Sequence, residues 1–165
     1  MSNAFEQAIL PHLDAAYNLA RWLLHDAAAA EDVVQDAVLR ALRHFAGFRG
    51  GDPRAWLLQI VRNTAYSALK SRHPHVPLGE EDLDIPDPAL GPEAALAQRQ
   101  DQAQLETALA ALPPILRECL VLCELEQLSY RQIADVTGVP IGTVMSRLWR
   151  ARQLLARHLA PGTQP

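Results

Sequence analysis

Residues 73 to 93 read HPHVPLGEEDLDIPDPALGPE, with five prolines, two glycines and a cluster of acids in one short run. Proline has no N–H to give to a helix or a sheet ladder, and its ring clashes with a preceding helical turn. No long element crosses such a run, so the chain must be built as separate pieces on either side of it.

Both pieces read as helical. Pro11 suits the first turn of a helix running to about His25, a second helix spans about Ala28 to Phe45, and a third starts near Pro53. The break before Pro53 is FRGGDP, residues 48–53, whose glycines permit backbone shapes closed to other residues. No alternating pattern long enough for a strand occurs. The expected fold is all-α, with two small helical domains at 1–72 and 102–165 joined by an acidic, flexible, proline-rich linker at 73–101. At 165 residues and 49% apolar, the chain can fill a core in each.

The formal charge of −4 hides a strong partition. Residues 1–38 hold one arginine against six acids, and residues 39–72 hold seven bases against Asp52 alone. The linker holds Arg99 against seven acids, residues 102–136 hold two bases against five acids, and residues 137–165 hold four arginines and no acid. A single basic run is often only a solvated face. Two of them, separated by acid, point to a polyanion.

The last basic block coincides with a geometric pattern. Ala134, Gly138 and Val144 stand at spacings of four and six, which suits a helix-turn-helix: a small residue at the crossing, a glycine in the turn and an apolar lock on the second helix. Val144, Leu148, Ala151 and Leu155 form its inner stripe, leaving Thr143, Ser146, Arg147, Trp149 and Arg150 on the outer side. Helix pairs with a glycine turn also occur in proteins that never meet DNA. The lack of acid favours DNA, because a carboxylate in a major groove is repelled by phosphates while each arginine releases counterions.

Catalytic and metal chemistry find little support. Cys119 and Cys123 share a helical face with Ile115 and Leu122 and read as buried small apolar residues, far in sequence from His73 and His75. No nucleophile, base and orienting group recur together, and no phosphate-binding glycine loop occurs. The expectation is no enzyme, no metal and no cofactor. Two cysteines, no signal-like N-terminus and no apolar run near the ~18 residues of a membrane span point to a cytoplasmic protein without membrane insertion.

AEDVVQDAVLRALRHFAGF followed by AWLLQIVRNTAYSALKSR, and then LPPILRECLVLCELEQLSYRQIADVTGVPIGTVMSRLWRARQLL, resemble a bacterial RNA polymerase sigma factor of the sigma-70 family, extracytoplasmic-function type. The resemblance runs from about Phe5 to Leu159. It implies a subunit that directs core RNA polymerase to promoter DNA, held by an anti-sigma protein and monomeric when free. The reading that stands against it is an autonomous helix-turn-helix regulator, which leaves the first basic block unexplained.

The resemblance also assigns residues. Glu31, Asp32, Gln35 and Asp36 match the face that grips the polymerase clamp. Arg49, Gly50, Gly51 and Asp52, with Pro53, match the loop that captures a base flipped from the −10 element. Asn63 matches a reader of the unstacked strand, with Arg54, Arg62, Lys70 and Arg72 on phosphates and Tyr66 placed to stack. Trp56 is expected in the core with Ile60. Thr143, Ser146, Trp149 and Arg150 match the −35 readers, and Arg147 and Arg152 suit phosphates or packing on the first helix. Two positions depart from the family pattern: Met145 stands where a basic residue is common, and Ser67 where an acid is common. The linker reads either as a mimic of nucleic acid near the polymerase active centre or as a plain tether.

Overall fold

A computed structural model describes residues 2–72 and 102–159, and every regular element among them is helical. The linker assigned above to residues 73–101 lies outside the described residues. In the N-terminal half, α1 (Ser2–Ile9) passes through a 3-10 turn at Leu10–His12 into α2 (Leu13–Leu24). Helix therefore begins before Pro11, and the proline sits in a tight turn whose missing N–H costs little. His25 closes α2 in the left-handed region, at φ 57°.

Two aspartates start the next helices. Asp26 accepts from the backbone N–H groups of Ala28 and Ala29 at 3.0 and 3.2 Å and opens α3 (Ala27–His44). Asp52 accepts from the Arg54 N–H at 3.0 Å and opens α4 (Pro53–Arg72). Helices α2, α3 and α4 pack on one another around Leu19, Leu23, Ala37, Leu57, Leu58 and Val61. Trp56 and Ile60 pack against this core as expected. Trp56 joins Phe48 at 5.0 Å and Phe45 at 6.3 Å between ring centroids, and Phe45 meets Phe5 edge-on. This aromatic cluster anchors both ends of the glycine loop.

The C-terminal half contains α5 (Gln102–Ala110), α6 (Pro114–Leu120), which widens into a π turn at Val121–Leu125, α7 (Tyr130–Thr137) and α8 (Ile141–Leu159). Ser129 and Gln132 form a reciprocal capping box on α7, at 3.1 and 2.8 Å. Gly138 ends α7 at φ 74°, where an L side chain is strained, and so turns the chain into α8. The stripe Val144, Leu148, Ala151 and Leu155 is buried, as the helix-turn-helix reading requires.

The halves are packed together. Helix α4 lies on α7, and α2 on α6. Arg117 of α6 is a buried tie between them. Its guanidinium donates to the carbonyls of Leu109, Ala110 and Leu112 at 2.9, 3.1 and 2.6 Å, and across the interface to that of Trp22 at 2.9 Å. Burial lowers its pKa to about 10. The carbonyls left over at the ends of α5 and α2 thus share one buried cation.

Candidate nucleic-acid interface

Helix α8 presents its reading face to solvent. Ser146 and Trp149 are exposed, and Thr143 and Arg150 are half-buried at its margins. Arg147 is also half-buried, and it bears on the buried Glu118 and Cys119 rather than on the outward face. Arg152 donates to Glu124 at 3.0 Å, with the Cys123 Sγ at 3.7 Å, so it braces the π turn from α8. Met145, which stands where the family commonly has a basic residue, lies among the most exposed residues of the helix.

The first basic block is arranged differently. Arg49, Gly50, Gly51, Asp52, Asn63, Lys70 and Arg72 are exposed, Arg54 and Arg62 are half-buried, and Tyr66 is buried. Gly50 takes φ 80°, which gives the 49–53 loop its shape. A cleft of about 370 Å³ opens there, lined by Phe48, Arg49, Gly51, Asp52 and Trp56, with Asp135 of the C-terminal half at its edge. Asp52 does double duty: one oxygen caps α4, and the other accepts from Gln132 Nε2 of α7 at 2.9 Å. Arg72 pairs with Asp26 at 3.5 Å, and Arg54 reaches the Glu126 carbonyl at 3.4 Å.

Arg62 and Tyr66 face inward. Arg62 donates from Nε and Nη2 to the two oxygens of Glu118 at 2.8 and 3.0 Å, from Nη1 to Asn63 at 3.3 Å, and its guanidinium sits 4.5 Å from the centre of the Tyr66 ring. Glu118 has no solvent exposure. Burial pushes its carboxyl up while the Arg62 fork pulls it back. Burial likewise raises the Tyr66 phenol, and it raises the Cys119 thiol to about 12, leaving that cysteine without thiolate character at neutral pH. Cys119 is buried as the apolar pattern suggested, while Cys123 is half-buried.

Glu31, Asp32, Gln35 and Asp36 all lie exposed along α3, with Asp36 paired to Arg40 at 3.3 Å. Beyond them stand Leu39 and Leu42, each about half exposed. Sequence reasoning missed these leucines, although their spacing from Gln35 and Asp36 places them on the same face. No helix among the described residues is long and apolar enough to cross a membrane.

Residues 8–74, carrying the glycine loop and α4, match the family description Sigma-70 region 2, and residues 102–155, carrying the helix-turn-helix, match Sigma-70, region 4. The chain belongs to the sigma-70 family. The RNA polymerase sigma-H factor of Pseudomonas aeruginosa is 36% identical, over 96% of this chain and 87% of that protein. The ECF RNA polymerase sigma-E factor of Escherichia coli K12 is 31% identical, over 79% of this chain and 73% of its own length. Among solved structures, the sigma factor RpoE of Bartonella quintana in complex with the anti-sigma factor NepR superposes with a TM-score of 0.74 at 32% identity, covering 96% of this chain and 98% of that one. CnrH, in complex with the cytosolic domain of CnrY, gives 0.64 at 26% identity, covering 94% and 86%.

This sigma factor is of the extracytoplasmic-function type and directs core RNA polymerase to promoters. Its relatives are initiation factors rather than catalysts. The region 2 match accounts for the first basic block, which the autonomous-regulator reading left without a role.

Proposed function

We propose that this sigma factor recognises promoters through two surfaces and docks on the polymerase through a third. Helix α8 enters the major groove of the −35 element as duplex, bringing Thr143, Ser146, Trp149 and Arg150 to base edges while Arg147 braces the helix from behind. The 49–53 loop takes a flipped −10 base into its cleft. Asn63 reads the strand beside it and Lys70 holds a phosphate, and once the halves part Arg62 and Tyr66, which face inward in the packed form, hold a phosphate and stack. Glu31, Asp32, Gln35 and Asp36, with Leu39 beyond them, meet the polymerase clamp. The folded units carrying these surfaces are residues 1–72 and 102–165, with 73–101 as their connector.

The observation that supports this reading best is the pairing of an exposed, acid-free outward face on α8 with an exposed glycine loop beside Asn63. The element names put −10 and −35 about 25 base pairs apart, roughly 85 Å of duplex at 3.4 Å per pair. The 2.8 Å contact of Arg62 with Glu118 cannot survive engagement of both elements, so the halves part on the promoter. An anti-sigma protein is a fitting partner for the packed state, by analogy with RpoE bound to NepR and CnrH bound to CnrY. The factor acts in the cytoplasm and carries no catalysis of its own.

Asn63→Ala tests the strand-reading assignment. It should leave association with core polymerase intact and weaken strand opening at −10, seen as reduced permanganate reactivity of thymines there. Unchanged opening would make the asparagine a surface residue of α4 with no part in melting.

A further inference from the structure

The exposed face of α8 is not centred on its arginines. Ile141, Met145 and Trp149 are 41, 54 and 54% exposed and stand four residues apart, which places them in one row along the helix. Ser146 lies exposed beside the row, while Thr143, Arg147 and Arg150 are half-buried at its flanks. The outward centre of the helix is therefore apolar. An exposed apolar row marks a contact surface, and the surrounding charge decides its partner. From Thr137 to the C-terminus there are four arginines and no carboxylate, so the complement is a polyanion. Duplex DNA presents one apolar group in its major groove, the C5-methyl of thymine.

We infer that Met145 and Trp149 read thymine methyl groups in the −35 element. The inference rests on the reading that α8 enters that groove, and it gives the helix an apolar centre of specificity with Ser146 and Arg150 at its margins. Residues four apart rise about 6 Å along a helix, which matches about two base-pair steps of 3.4 Å. The two methyls therefore belong to A·T pairs about two steps apart. Met145 is thus a base reader of a different kind from the basic residue common at this position in the family, and it shifts preference from purine acceptors to thymine.

The test uses holoenzyme assembled from the full chain and core polymerase. A −35 sequence is first selected from a randomised pool, and each of its thymines is then replaced by deoxyuridine, which removes only the methyl. At two positions the replacement should weaken binding about fourfold, equivalent to about 0.8 kcal/mol for one buried methyl. Met145→Ala and Trp149→Ala should each abolish that sensitivity at one position, and Arg150→Ala should retain it at both. Both row positions are exposed, so these variants fold. If uracil is bound as well as thymine while scrambling the −35 element still weakens binding, the methyl inference falls and the −35 reading stands. If scrambling has no effect, both fall. Row variants that keep the parent's thymine-to-uracil ratio also overturn the inference.

Discussion

Arg62 of α4 and Glu118 of α6 are 56 residues apart in sequence and hold each other by two hydrogen bonds, with the carboxylate wholly shielded from water. The fork that grips this carboxylate is the same geometry by which arginine takes a phosphate. In the packed form, Glu118 therefore occupies the place that the proposed role of Arg62 gives to the −10 strand. The two reading surfaces differ in availability: α8 lies open, while part of the α4 surface is covered by the C-terminal half.

Glu118→Ala should open the chain. It leaves Arg62 buried without its partner, which costs about 3–5 kcal/mol in a closed interface. Parting of the halves avoids that cost by returning Arg62 to water. Solution scattering should report a larger radius of gyration with unchanged helical circular dichroism. A variant as compact as the parent would show that the interface is held by other contacts.

Arg117→Ala should lower stability by on the order of 3 kcal/mol or more, because several buried carbonyls lose a charged donor at once. Arg117→Lys should recover only part of the loss, since an ammonium cannot reproduce the planar fork. Urea midpoints of the three proteins give the ranking, and a full rescue by lysine would mean that charge alone suffices.

Gly138→Ala and His25→Gly should move stability in opposite directions. A Cβ on Gly138 meets nothing within 4 Å, so the cost is purely that of the left-handed backbone at φ 74°, about 1–2 kcal/mol. His25 adopts φ 57° at the end of α2, where glycine relieves strain by up to about 1 kcal/mol. Thermal melts of both variants check the signs.

Arg150→Ala should cost about 1–3 kcal/mol in promoter binding and relax preference at one −35 position, whereas Arg157→Ala, exposed near the far end of α8, should cost little. Holoenzyme affinities for a panel of −35 variants at fixed salt separate the two. Equal and sequence-independent losses would move the reading face away from Arg150.

Most of the helices and the turns between them were legible in the sequence because their causes are local. Proline and glycine positions set the breaks, Asp26, Asp52 and Ser129 cap the helices they precede, and the periodicity of Val144, Leu148, Ala151 and Leu155 fixes which side of α8 is inner. The exposure of the Glu31, Asp32, Gln35 and Asp36 face follows from the same periodicity. Contacts between the halves were not legible, since nothing near Arg62 in sequence announces Glu118, and nothing near Trp22 announces Arg117. A charged residue reads as surface until tertiary packing supplies its partner, and only then do arginine and glutamate become interior residues. The same holds for Met145: sequence marked it only as a departure from the basic residue common there, while the packing of α8 on α6 and α7 decided that its side chain stands on the exposed face. Local chemistry determined the pieces of this sigma factor, and the long-range pairing of buried charges decided which of its surfaces are open.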